Sequence, residues 1–244
     1  GIPVPRPRML SDIKEMQESA KLYNGEQLEE LENLQMSVMK TNRPILYNRH
    51  MYYINYTEFG HPDPLYMNFI RDPVERFISY YYYMRSQNHT GVPNIESSTS
   101  VDECVSLGDP DCLPEKGQDF EFQLSYFCGH HPSCREVGNL DALQQAKYVA
   151  EKHYSVVGVL ELWETSFKVL EHYLPRFFKY SKELIENLPR HMLQKNKGIN
   201  RKPYSNLTEQ TLRKAFKEDI EFYNFIKQRL YLQSKYIDIS SSNH

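Results

Sequence analysis

No apolar run in the sequence approaches the roughly 18 residues that a membrane span requires, and no stretch has the make-up of a secretory signal. Membrane attachment would therefore need an anchor outside these 244 residues. Charge of one sign is also missing: the formal net charge is only −3. No general attraction to polyanions follows, so nucleic acid is not an expected partner, and an anionic ligand would need a local basic cleft. Glycine is scarce, ten residues against nineteen Tyr and twelve Phe, which argues against a low-complexity or disordered chain and for a packed core. There is no internal repeat. With 40% hydrophobic residues, the length suits one substantial domain.

Cysteine is sparse as well. The four present form two tight pairs, Cys104/Cys112 and Cys128/Cys134. Neither pair has the gap of about two to four residues usual between zinc ligands, so no metal is expected. Spacings this short suit local disulfide loops, with reduced core thiols as the alternative. Three glycosylation sequons, at Asn55, Asn88 and Asn206, point with them to an oxidising compartment.

Three Pro among the first eight residues give an extended lead-in, and between Met9 and Met39 apolar positions recur at helical spacing, with Gly25 separating two helices. Pro44 to Asn48 reads as a strand that delivers Arg49 and His50 at its end. Leu65 to Ile70 reads as a second strand, and Arg71-Asp72-Pro73 turns it into a helix over 73–86, with Asp72 as N-cap and Pro73 in the first turn. A loop near 87–100 leads to an excursion carrying the Cys pairs, separated by an apolar stretch from Phe120 to Phe127. The pattern then predicts a helix over 141–153, a buried strand over 154–160 and a helix from Trp163 to Leu174 before Pro175. Residues 190–206 are basic and turn-rich, and a last amphipathic helix is predicted over 208–232. Strand, helix, strand, helix implies an α/β fold.

Two places in this order could carry chemistry. Arg71 lies at the carboxyl end of its strand and Ser79 about two turns into the next helix, so a guanidinium fork and a hydroxyl can meet around one phosphate. The plainer alternative pairs Arg71 with Asp72 or Glu75 and leaves Ser79 merely packed. His50, taken alone, is more often a surface or capping residue than a base.

The run Arg71-Asp72-Pro73-x-x-Arg76-x-x-Ser79-x-Tyr81 resembles the 3′-phosphate-binding motif of Golgi carbohydrate sulfotransferases. Further matches are Asn48-Arg49-His50, Phe59-Gly60, Asp102-Glu103-Cys104, Phe127-Cys128-Gly129-His130 and Val157-Gly158-Val159-Leu160-Glu161. With them, residues 25–235 are similar to the heparan sulfate and dermatan/chondroitin uronyl 2-O-sulfotransferases. Tyr126 to Glu136 leans toward the uronyl 2-sulfotransferase branch, to which the insect Pipe proteins are related.

The resemblance implies a P-loop-NTPase-like sulfotransferase fold, a small parallel sheet flanked by helices. It implies disulfides Cys104–Cys112 and Cys128–Cys134, a trimeric assembly, and the Golgi lumen as a type II membrane protein anchored outside this chain. The donor would be 3′-phosphoadenosine 5′-phosphosulfate and the acceptor a uronic acid of an anionic glycan. His50 would be the base that removes the 2-hydroxyl proton, a task suited to an imidazole near neutral pH. Arg71 and Ser79 would hold the donor's 3′-phosphate, with Arg201 and Lys202 closing over the nucleotide. Arg49, Arg76 and Arg85 would meet the acceptor's carboxylates and sulfates.

Two departures from the family stand out. The heparan branch carries His-x-His where this sequence has Asn48-x-His50, and no strand, Lys-bearing loop and helix for the donor's 5′-phosphosulfate precede His50. The expectation is a partial domain over 25–235, between a divergent lead-in at 1–24 and a tail at 236–244, with poor activity as an isolated chain. An enzyme is the first reading. The second is a catalytically impaired fragment or isoform acting as a glycan-binding or assembly subunit. A cytosolic domain with chance matches would instead carry four free thiols.

Overall fold

A computed structural model describes residues 46–48, 50–59, 62–86, 99–189 and 201–242, apart from the side chains of 59 and 84–86. The lead-in, the helices expected between Met9 and Met39, Arg49, Gly60, Asn88 and the basic stretch 190–200 lie outside the described residues, as does the side chain of Arg85.

Among the described residues two parallel strands, β1 (Tyr66–Ile70) and β2 (Tyr154–Val159), form a sheet, with Asn68 opposite Val157 and Ile70 opposite Val159. Parallel pairing needs a long crossover. Here it contains α1 (Pro73–Ser86), α2 (Val101–Ser106), α3 (Gln123–Cys128) and α4 (Leu140–Lys152). The register shifts at Tyr66/Met67, which leaves Ser155 extra on β2. The carbonyls freed around it are taken from outside the sheet: Arg229 donates to the Tyr154 oxygen at 2.6 Å and Gln233 to that of Ser155 at 2.9 Å. Gly158 stands opposite Phe69, whose ring packs so close that a Cβ on residue 158 would lie 2.4 Å from it. Only glycine fits there.

The helices start where the sequence supplies caps. Asp72 Oδ1 accepts the amides of Val74 and Glu75, each at 3.1 Å, ahead of Pro73. Ser100 and Glu103 cap α2 reciprocally, and Asn139 accepts two amides at the start of α4. After β2 come α5 (Trp163–Tyr173), α6 (Pro175–Phe178), α7 (Ser181–Glu186), α8 (Asn206–Ala215) and α9 (Lys217–Ser242). The core joins Val74, Ile78 and Tyr81 of α1 to Leu143 and Ala146 of α4, Val156 and Val159 of β2, Leu170 of α5 and Phe222, Ile226 and Leu230 of α9.

Three expectations change. The single last helix predicted over 208–232 is two, broken at Phe216, and the second runs on to Ser242. Phe216 leaves helical geometry to sit 5.2 Å from the ring of Phe77 and 5.5 Å from that of Phe122, and the burial of a large aromatic outweighs one continuous helix. The apolar stretch Phe120–Phe127 holds α3, a helix the pattern did not announce. Leu46 to Asn48 and His50 are not in a strand. Both disulfides, Cys104–Cys112 and Cys128–Cys134, are present, and no cysteine is free.

Candidate active site

Beyond the last residue of β1 the chain delivers Arg71 to a carboxylate on the first turn of α1. Arg71 Nη2 lies 3.0 Å from Glu75 Oε2, and its Nε lies 3.8 Å from Glu161 Oε1 in the short turn that follows β2. Arg201, far along the chain, reaches the same Glu75 carboxylate, with Nη2 at 2.9 and 3.1 Å from its two oxygens. The hydroxyl of Tyr204 donates to Glu75 Oε1 at 2.7 Å. Burial works to raise Glu75, but the Tyr204 hydroxyl and the two guanidinium groups outweigh it and hold the carboxyl below its usual range. Burial and the nearby carboxylate push the Tyr204 phenol up to about 12.

The segment carrying Arg201 is anchored at its far end too. Ser205, the cap of α8, donates its amide to Asp102 at 3.0 Å, which ties it to the excursion closed by Cys104–Cys112. Lys202 lines an open cavity of about 360 Å³ with Arg201, Pro203 and Tyr204. On the other side, Asp72 accepts from Arg213 at 3.1 Å and donates its amide to Glu161 at 3.0 Å. Two guanidinium groups and a phenol around one oxyanion form the donor set that a phosphate oxygen would also satisfy. Asp72 and Glu161 offset much of the surrounding positive charge.

Of the residues named from sequence, Arg71 and Arg201 share Glu75, and Lys202 lines the adjoining cavity. Ser79 is half-buried on α1. Arg76 turns toward the stapled excursion, with Nη1 at 3.4 Å from the Glu121 carbonyl. His50 is exposed in an irregular segment that continues into a pinned one. There Tyr53 donates its amide to the Tyr126 carbonyl at 2.8 Å, and the Tyr52 ring meets those of Tyr126 and His130 at 5.0 and 5.3 Å. Burial lowers His130 to about 4, against a hydrogen bond to the Tyr52 backbone that works to raise it. Of the sequons, Asn55 is half-buried and donates to Glu58 at 2.9 Å, whereas Asn206 is exposed at the start of α8. Among the described residues no group of three or more His, Cys, Asp or Glu could hold a metal ion, and no helix is long and apolar enough to cross a membrane.

Sequence reasoning missed Tyr204 and Arg213, named Asp102 and Glu161 only within matching motifs and without a role, and noted Glu75 only as a possible partner of Arg71. The i,i+4 spacing of Arg71 and Glu75 was the one local signal. The rest meet through tertiary packing.

In this α/β domain the described Arg71, Arg201 and Tyr204 side chains converge on the Glu75 carboxylate beyond a strand end, so Arg71 makes the Glu75 pairing that the plainer alternative named. The chain belongs to the sulfotransferase family, whose model matches residues 12–226. It is 35% identical over 211 residues to the uronyl 2-sulfotransferase homolog pip of Drosophila melanogaster, covering 78% of this chain and 41% of that protein. It is 31% identical over 233 residues to the Homo sapiens uronyl 2-sulfotransferase, covering 91% and 55%. To the heparan sulfate 2-O-sulfotransferase 1 of Xenopus laevis it is 36% identical over 197 residues, covering 78% and 54%. The chain thus spans about half the length of these curated relatives, and the similar identities do not single out a branch.

Proposed function

We propose that the protein transfers a sulfuryl group from 3′-phosphoadenosine 5′-phosphosulfate to the 2-oxygen of a uronic acid in a glycosaminoglycan or related glycan, within the Golgi lumen. The observation that carries this reading is the convergence of Arg71, Arg201 and Tyr204 on one carboxylate. In a chain of the sulfotransferase family this donor set supports a phosphate site, because a phosphate oxygen can accept from the same groups. Glu75 is then the internal anion in whose place, or beside which, the donor's 3′-phosphate is received. The donor supplies an activated sulfuryl group with a phosphate leaving group.

Arg71 and Ser79 bind the 3′-phosphate, and Arg201 and Lys202 cover the nucleotide. Arg49, Arg76 and Arg85 orient the anionic acceptor. His50 takes the proton of the attacking 2-hydroxyl as its oxygen bonds to sulfur and the bond from sulfur to the 5′-phosphate oxygen breaks, releasing adenosine 3′,5′-bisphosphate. Positioning and charge neutralisation carry most of such a transfer. The two-stranded sheet is, in this reading, part of a P-loop-like core.

The test is transfer of labelled sulfate to desulfated heparan and dermatan chains, followed by disaccharide analysis. We expect label on the uronic acid 2-oxygen and its loss in His50→Ala. Retained glycan binding without transfer or nucleotide binding would instead favour a non-catalytic assembly subunit.

A further inference from the structure

Gln123 opens α3 and is 6% exposed, a buried polar side chain between Phe122 and Leu124. Its Oε1 accepts the backbone N–H of Arg71 at 2.8 Å, and its Nε2 donates to the Arg71 carbonyl at 2.7 Å. Arg71 lies just past Ile70, the last residue of β1 paired with β2. The carboxamide therefore pairs with Arg71 as a neighbouring strand's peptide would. Its planarity means both bonds form together only for one placement of the Arg71 backbone.

The helix that carries Gln123 is itself held. Asp219, at the start of α9, is 2% exposed and faces the start of α3. The same carboxylate accepts the Leu124 amide at 2.8 Å. Leu124 thus ties α3 to α9, and its neighbour Gln123 ties α3 to the end of β1. Arg71's guanidinium is fixed separately, by Glu75 and Glu161.

We propose that Gln123 is a positioning residue of the nucleotide site, holding the Arg71 backbone so that its guanidinium emerges beside Arg201. This rests on the role of Arg71 given under the proposed function.

The experiment titrates adenosine 3′,5′-bisphosphate calorimetrically into the protein, Gln123→Met, Arg71→Ala and the double variant, and measures heparan binding and thermal unfolding for each. Gln123→Met is expected to weaken nucleotide binding about tenfold, the size of effect that losing a buried hydrogen bond carries. It should leave heparan binding unchanged and add little to Arg71→Ala. Wild-type affinity in folded Gln123→Met overturns the proposal. So does an equal loss of nucleotide and heparan binding, the mark of a general structural role. Undiminished binding by Arg71→Ala, or none by the parent protein, removes the donor-site reading itself. If Gln123→Met does not fold, Gln123→Glu, which keeps the acceptor for the Arg71 amide, carries the same expectations.

Discussion

Arg71 and Arg201 both reach Glu75 through Nη2, at 3.0 and 2.9 Å, although Arg201 lies 126 residues beyond that carboxylate. Glu75 therefore joins the end of β1 to the segment ahead of α8, and its ionised form is what both guanidinium groups require.

Acid should weaken this joint. Glu75 is held below its usual value when folded, so the unfolded chain binds its proton first, and the stability it contributes is present above the ordinary carboxylate range of about 4.3. That stability is lost as pH falls through the folded value. Urea midpoints measured between about pH 6 and 3 should drop less steeply in Glu75→Gln than in the wild type.

His130 predicts a second limb. Burial lowers it to about 4, so between about pH 6.5 and 4 the unfolded chain takes up a proton that the folded one refuses, and stability falls with acidification across that window. The imidazole resonance should begin to shift only near the lower end, and His130→Gln should flatten this limb while leaving the one due to Glu75. A His130 resonance titrating near 6.5 would contradict the burial account.

The sequence announces elements whose causes are local. Asp72-Pro73 starts α1 because cap and first turn are adjacent, and the buried strand before Trp163 is a plain apolar run. Phe216 breaks the last helix because of Phe77 and Phe122, which helical periodicity cannot register. The site divides the same way. Arg71 and Ser79 share a local motif, whereas Tyr204 and Asp102 matter only once the chain has brought Arg201 to Glu75.

Phe216→Ala should cost about 3–5 kcal/mol in chemical denaturation, since the side chain is 1% exposed within an aromatic cluster. A cost under about 1 kcal/mol, typical of surface positions, would mean that the break between α8 and α9 has another cause.

The disulfides close loops with sequence separations of 8 and 6. Each should add about 2–2.5 kcal/mol by constraining the unfolded chain. Alkylation in denaturant should find no reactive thiol before reduction and four after it. Four thiols without reductant would point to a reducing compartment and remove the luminal setting.

The most direct test of a nucleotide site built by Arg71 and Arg201 is calorimetric titration of adenosine 3′,5′-bisphosphate into the protein and into Arg71→Ala and Arg201→Ala. Measurable binding that each substitution weakens tenfold or more, about 1.4 kcal/mol, is the predicted result. Binding that neither substitution changes, or no binding at all, would contradict it.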